Sequence, residues 1–171
     1  GLALFYADPW PGGADLYRSS DQTTGFRLNS RTGVPGTVGE TTATLLPGSV
    51  GVWSGETLEV LLYGGGLVSR PDQDVLDGAN AMAVEHAPGV WEILQFQTAE
   101  LIAPDTWRLS RLLRGQLGTE WLRDPGGLAP GARIALVDQA ILPVEMLPGD
   151  VDREFWWRGV PTEKDQAEVD A

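Results

Sequence analysis

Residues 90–120 constrain the fold of this chain more than any other stretch. They contain two apolar runs rich in strand-forming residues, 91–102 and 107–113, joined by Ala-Pro-Asp-Thr over 103–106. Proline presets φ for the first central position of a type I or II turn, and aspartate can bond its own backbone two residues on. The stretch therefore predicts a β-hairpin.

The second run of this hairpin alternates apolar and polar residues with a period of two. Since neighbouring side chains of a strand point to opposite faces, Arg111 is expected on the face of Leu109, and Arg114 on the face of Arg108. This alternation predicts that the arginines lie on both faces of the strand.

Short apolar runs separated by glycine and proline fill most of the remaining chain. Strand candidates lie at residues 2–7, 14–21, 26–28, 41–46, 56–63, 80–86, 132–137 and 155–159. Residues 69–78 predict one short helix, with Ser69 as its cap, Pro71 in the first turn and Gly78 just past the end. Residues 29–40 lack apolar periodicity and predict an exposed loop, either a contact surface or an ordinary connector.

These elements predict a mainly β fold, an antiparallel β-sandwich or barrel with one short helix. The 171 residues suffice for one domain, which we expect over residues 1–162, followed by a disordered charged tail over 163–171. The chain has no run approaching the length of a membrane span, and its start lacks the basic region of a signal peptide. We therefore expect a soluble product made in the cytoplasm without a signal peptide.

The charge of the chain disfavours two classes of partner. Lys+Arg number 12 and Asp+Glu 24, for a net charge of −12 and a pI near 4.3. Phosphate backbones are bound by clustered Lys and Arg, so we expect no nucleic-acid partner, and an anionic membrane surface would repel the chain.

No catalytic or metal-binding pattern emerges from the ionisable residues. There is no cysteine, and the one histidine, His86, precedes a turn without evident partners. The carboxylates Asp72, Asp74 and Asp77 fail the EF-hand spacing. A glycosidase pair could be drawn from Glu92, Glu100, Glu120 and Asp124, but charged residues on half-exposed strands usually face solvent. We expect no enzyme, no metal and no cofactor.

Binding candidates come from arginines and tryptophans. Arg108, Arg111 and Arg114, with Arg123 beyond them, are concentrated near the hairpin; they could hold an acidic polysaccharide or a neighbouring protein, or pair with the chain's own carboxylates. On the first alternative, an Arg114→Ala change should leave folding intact. Trp10, Trp53 and Trp121 are candidates for glycan stacking, although large aromatic side chains are usually buried, which favours Trp10 as a plug that closes one end of the core.

A set of short motifs carries a family resemblance. They are Trp91-Glu-Ile-Leu-Gln-Phe96, Ala99-Glu-Leu-Ile-Ala-Pro104, Thr106-Trp-Arg-Leu-Ser110, Leu112-Leu-Arg-Gly-Gln116 and Gly118-Thr-Glu120, with weaker matches at Ala7-Asp-Pro-Trp-Pro11 and Gly78-Ala-Asn-Ala81. In these motifs the chain resembles the C-terminal part of the very large baseplate, or tail-tip, protein of gene transfer agents and related tailed phages of α-proteobacteria, often labelled host specificity protein.

The resemblance implies a structural and interaction module at the tail tip of a virion-like particle. Its expected partners are other tail and baseplate proteins, and a host envelope glycan if the module contributes to host attachment. The alternative function is a carbohydrate-binding module that recognises host surface polysaccharide. The resemblance also implies a piece of a longer polypeptide, and none of its motifs is catalytic.

Overall fold

The computed structural model describes residues 1–122 and 125–163. In chain order the elements are β1 (Leu2–Ala3), β2 (Ala14–Ser19), β3 (Arg27–Thr32), β4 (Val38–Thr41), β5 (Leu58–Leu62), α1 (Asp72–Leu76), β6 (Ala81–Ala87), β7 (Val90–Ala103), β8 (Thr106–Gln116), β9 (Arg133–Val137), β10 (Leu142–Pro143), a 3-10 turn (Pro148–Asp150) and β11 (Trp156–Pro161). The prediction of a mainly β fold with one short α-helix is confirmed.

Contacts divide the chain into two compact units where the sequence suggests one domain over residues 1–162. One unit is Thr37–Asp138, and the other combines Gly1–Gly36 with the segment that begins at Gln139. We call them the barrel unit and the flanking unit. The predicted disordered tail, 163–171, lies outside the described residues except for Glu163. No helix in the described part of the chain is long and apolar enough to cross a membrane.

The barrel unit is a closed six-stranded antiparallel barrel in the order β4-β5-β8-β7-β6-β9. Its strands fold as their alternation predicts: in β5, Leu58, Val60 and Leu62 point inward while the residues between them are half exposed. Inward side chains from the five strands β5 to β9, with others from the loops, build one apolar core, which includes Met82, Leu94, Phe96, Leu109 and Ile134. Of the two architectures left open by the sequence, this unit adopts the barrel.

The predicted hairpin is confirmed as β7 and β8, the two longest strands. Ala103 pairs with Thr106, so Pro104 and Asp105 form a two-residue turn. Asp105 has a φ of 54°, which matches the type II form of the turn, whose second central residue needs a positive φ.

The strict alternation expected along β8 is wrong beyond Ser110. Arg111 has a φ of 52°, and Leu109 and Leu112 are both fully buried. Because two residues three apart face the same side, the inward–outward alternation of side chains shifts by one residue at Arg111, while the pairing of β8 with β7 keeps its register on both sides of this residue. Arg114 consequently points inward with Leu112, and not outward with Arg108.

Two local predictions need correction. Ser69 does not cap α1: its hydroxyl bonds the backbone of Ala99, and the helix begins after Pro71 with no side-chain cap. The loop expected over residues 29–40 is shorter, because β3 continues to Thr32 and β4 begins at Val38. Apolar periodicity misses β3 because backbone hydrogen bonds to β2 and polar cross-strand pairs hold it, in place of apolar burial.

The flanking unit contains a three-stranded antiparallel sheet in the order β11-β2-β3 and the short pair β1-β10. Its small core is formed by Tyr17 and Phe26 with Val160. Beside it the fully buried carboxylate of Asp15 accepts two hydrogen bonds of 2.7 Å from Arg31 and one of 2.9 Å from Thr162. These bonds compensate the cost of burying the charge.

Candidate functional site

Three neighbouring strands place ionisable side chains together inside one end of the barrel. They are His86 on β6, Glu92 on β7 and Arg114 on β8. Arg114 Nε and Nη2 lie 2.6 and 2.7 Å from the two carboxylate oxygens of Glu92, and His86 Nε2 lies 2.9 Å from Oε2. We call these three residues the ion-pair cluster.

The cluster is almost completely shielded from solvent. The side chains of Arg114 and Glu92 are 2% and 0% exposed, and that of His86 is 10% exposed. Glu92 also accepts a 3.1 Å hydrogen bond from the backbone N–H of Gly115, so each carboxylate oxygen has two partners. A two-point guanidinium–carboxylate pair with its remaining bonds satisfied is the arrangement in which a buried charge pair is tolerated.

The cluster anchors two surface loops. Arg114 Nη1 donates a 2.9 Å hydrogen bond to the carbonyl of Leu46, and its backbone bridges Val50, so the loop before β5 is tied to β8. Gly115, the second-last residue of β8, has a φ of 62°, and its N–H bonds Glu92, so the start of the loop after β8 is fixed as well. Four large apolar side chains on these loops are exposed by more than half: Leu46, Val52, Leu117 and Trp121. We call them the apolar rim.

Trp121 of the rim lines a shallow cavity of about 370 Å³, together with Pro47, Gly48, Glu120 and Pro125. Leu117 is 85% exposed and has a φ of 54°, a conformation that costs free energy for a residue with a branched side chain. Exposed apolar side chains grouped on loops are typical of a surface that contacts another molecule.

The chemistry available to the ion-pair cluster is that of a fixed cross-link. Glu92 is fully bonded and closed to solvent, and no nucleophilic side chain lies within hydrogen-bonding distance of His86 in the described residues. The other carboxylates considered for a glycosidase pair do not join it: Glu100 faces Arg108 at 3.9 Å, Glu120 is exposed, and Asp124 lies outside the described residues.

The three hairpin arginines do not converge on one site. Arg108 binds Glu59 at 3.0 Å, Arg111 binds Asp72 at 2.7 Å, and Arg114 is buried against Glu92. All three pair with the chain's own carboxylates, which was one of the two alternatives. The burial of Arg114 overturns the expectation that its replacement leaves folding intact, since removing one member of a buried pair strands the other. Arg123 lies outside the described residues.

The three tryptophans proposed for glycan stacking differ in accessibility. Trp10 is half-buried and donates a 3.3 Å hydrogen bond to the carbonyl of Gly33. Trp53 is half-buried, with the Arg111 guanidinium 4.8 Å from its ring centre. Trp121 is 70% exposed. Trp156 and Trp157 on β11 are also exposed, at 45% and 39%, and were not among the candidates.

Sequence reasoning considered each member of the ion-pair cluster separately and missed their meeting. A usable signal existed. Glu92, Leu94 and Phe96 are spaced two residues apart, as are Val84 and His86, so the period of two places Glu92 and His86 on the core face.

The carboxylates considered for a metal site lie elsewhere: Asp72 pairs with Arg111, and Asp77 accepts a hydrogen bond from Gln73. Within residues 1–122 and 125–163, no group of three or more potential ligands is arranged to hold a metal.

Comparison with known families finds one match that covers the barrel. A family model described as "Rcc01698-like, C-terminal" matches residues 36–135, more than half of the chain. Rcc01698 is a gene of the Rhodobacter capsulatus gene transfer agent. The matched range and the barrel unit, Thr37–Asp138, nearly coincide. No curated protein matches the chain.

Proposed function

The chain belongs to the Rcc01698-like, C-terminal family, and from that premise we propose that it is a structural and interaction module of the tail baseplate of a gene-transfer-agent particle. The observation that carries the proposal is the family match over the barrel unit. The role places the chain at the tail tip of a virion-like particle, with neighbouring tail proteins as its partners.

The apolar rim is the surface we assign to this contact. Its four side chains lie on two loops that the buried Arg114 ties to the barrel, so the loops are held before a partner arrives. A preorganised surface loses less conformational entropy on binding than a mobile one. Isolated exposed leucines need no explanation, but four large apolar residues exposed by more than half on two loops tied to the same ion pair are a candidate contact surface.

Particle assembly tests this assignment directly. A Leu117→Asn/Trp121→Ala variant of the full-length parent protein is expressed in a producing strain that lacks the wild-type copy. Asparagine tolerates the positive φ of Leu117, so the variant removes apolar surface without adding backbone strain. We expect fewer tailed particles by electron microscopy and less gene transfer, with the variant protein left in the soluble fraction.

A matched control is Leu101→Asn. Leu101 is 58% exposed and lies on β7 next to the hairpin turn, at the opposite end of the barrel from Arg114. We expect normal particles from this variant. Normal assembly of the rim variant, or an equal defect in both variants, would contradict the assignment.

The alternative role as a carbohydrate-binding module depends on Trp121, whose exposed ring could stack on a sugar. Quenching of tryptophan fluorescence by host surface polysaccharide, abolished in Trp121→Ala and retained in Leu117→Asn, would favour this role over assembly. Absence of quenching in the wild-type chain would speak against this role.

A further inference from the structure

Most of the described arginines of this acidic chain are paired, and the exceptions are informative. Among the described residues, six form salt bridges with carboxylates, and Arg158 bonds the carbonyl of Gln22. No hydrogen bond or salt bridge of the side chain is present for Arg27, Arg70 or Arg153 in residues 1–122 and 125–163. In a chain with twice as many acidic as basic residues, an unpaired guanidinium is the unusual case.

Two of these three arginines line the same cavity. It has a volume of about 500 Å³ and lies within the flanking unit; its lining includes Arg18, Asp21, Arg27, Glu145, Arg153 and Phe155. The volume is in the range of small-molecule sites, about 300–1,000 Å³. Arg70, the third unpaired arginine, lies in the barrel unit.

The strand register adds a second observation. Arg18 and Arg27 are directly opposite each other on β2 and β3, and like charges in that position repel. Arg18 is compensated by Asp150, 2.6 Å away, and its guanidinium lies 4.6 Å from the ring centre of Phe155. Arg27 is exposed and has no such compensation, so an anion in the cavity would relieve the repulsion.

The remaining lining decides between kinds of anion. Asp21 and Glu145, two acidic residues, also line the cavity, together with the neutral polar residues Ser20, Thr24 and Asn29. Backbone N–H bonds from Thr23 and Thr24 lower the pKa of Asp21 to about 2, so this carboxylate is charged at neutral pH. A doubly charged phosphate would be repelled by these carboxylates. A ligand with one carboxylate and several hydroxyls would bind the arginines through the former and the two acids through the latter.

We infer that the cavity lined by Arg27 and Arg153 binds an acidic sugar, with the sugar carboxylate held by the two guanidinium groups and its hydroxyls donating to Asp21 and Glu145. The site lies in the flanking unit and does not rest on the proposed assembly role. Its recognition element is the pair Arg27 and Arg153, not the hairpin arginines that the sequence suggested. Neither guanidinium makes a hydrogen bond or salt bridge within the described residues. A backbone hydrogen bond is the main cause of the lowered pKa of the Asp150 carboxyl, and Arg153 lies near enough to lower it further electrostatically.

Calorimetric titration of the purified chain tests the site with three probes: an oligogalacturonate, a neutral oligosaccharide of the same length, and inorganic phosphate. We expect saturable binding of the oligogalacturonate alone. Arg27→Ala and Arg153→Ala should each weaken it about tenfold, since each removes charge-assisted hydrogen bonds. Arg70→Ala removes an arginine that is equally unpaired but lies in the barrel unit, and it should leave binding unchanged.

Circular dichroism and thermal melting establish that each variant is folded. Arg27→Lys keeps the charge but loses the two-point geometry of the guanidinium, so it should bind the oligogalacturonate with intermediate affinity. Three results would each overturn the inference: no binding of the oligogalacturonate, equal binding of the neutral oligosaccharide, or equal weakening by Arg70→Ala. Phosphate binding as tight as that of the sugar would also overturn it, since the site would then be selective for charge alone. Because the assay uses no tail protein, its failure is distinct from failure of the assembly role.

Discussion

Replacing Arg114 by methionine tests the ion-pair cluster most directly. Methionine retains much of the length and apolar character of the arginine stem but removes the guanidinium and its three hydrogen bonds: two to Glu92, of 2.6 and 2.7 Å, and one of 2.9 Å to the carbonyl of Leu46. Glu92 stays buried and keeps only His86 and the N–H of Gly115 as partners. The variant therefore leaves a fully buried carboxylate without its countercharge.

Two independent arguments give the same size of effect. Hydrogen bonds to charged groups contribute about 1.5–3 kcal/mol each, so the two bonds to Glu92 sum to about 3–6 kcal/mol. Breaking a buried salt bridge by removing one partner costs about 3–5 kcal/mol. The urea m-value of a small domain is about 2 kcal/mol/M, so a cost of about 3–5 kcal/mol lowers the unfolding midpoint by about 1.5–2.5 M.

The assay is urea unfolding of wild type, Arg114→Met and a matched control, Arg111→Ala. Arg111 lies on the same strand and also pairs with a carboxylate, but both side chains of its pair are 48% exposed, so its loss should cost less than about 1 kcal/mol. A midpoint shift for Arg114→Met no larger than that for Arg111→Ala would refute the reasoning, because burial would then not determine the contribution of the pair.

Two further predictions concern packing and pH. Gly39→Ala on β4 should destabilise the chain by about 1–3 kcal/mol in urea unfolding, because its Cβ would clash with the carbonyl oxygen of Leu61 on the paired strand. Gly55→Ala, with no atom within 4 Å and no positive φ, is the control and should be nearly neutral. The hydrogen bond from Arg31 lowers the pKa of Asp15 below its ordinary value of 3.8, so the resulting stabilisation is fully present above that pH and is lost as pH falls through the lower, folded-state pKa. Below about pH 4 the unfolding midpoint of wild type should therefore fall more steeply than that of Asp15→Asn; parallel profiles would contradict this assignment.

Local signals were sufficient for the hairpin and insufficient for closure of the barrel. The turn residues Pro104 and Asp105 and the flanking apolar runs act over a few residues, and the structure follows them. Closure requires β9 to pair with both β4 and β6, and the pairing with β4 joins residues nearly a hundred positions apart. No turn chemistry specifies such a pairing, because it depends on which strands remain available once the hairpins have formed.

The same distinction explains the candidate site. The inward position of Glu92 could be predicted from the sequence, because Glu92 shares the period of two with Leu94 and Phe96. The inward position of Arg114 could not, because it depends on the positive φ of Arg111, and nothing in the residue type of an arginine indicates a left-handed backbone. Three arginines of one strand that look equivalent in sequence are consequently 45%, 48% and 2% exposed in their side chains.

A buried ion pair is not the most stable way to fill the end of a barrel, since apolar residues of similar volume are often equal or better. The Glu92–Arg114 pair has a second effect, which is to fix the position of two loops. Arg114 bonds the carbonyl of Leu46 and Glu92 bonds the N–H of Gly115, and these two loops present the apolar rim. A Glu92→Leu/Arg114→Met double variant separates stability from loop positioning. It should recover most of the stability lost in Arg114→Met, because no buried charge is stranded, yet still fail to enter particles if the loops need those bonds. Normal incorporation of the double variant would assign the pair to folding alone.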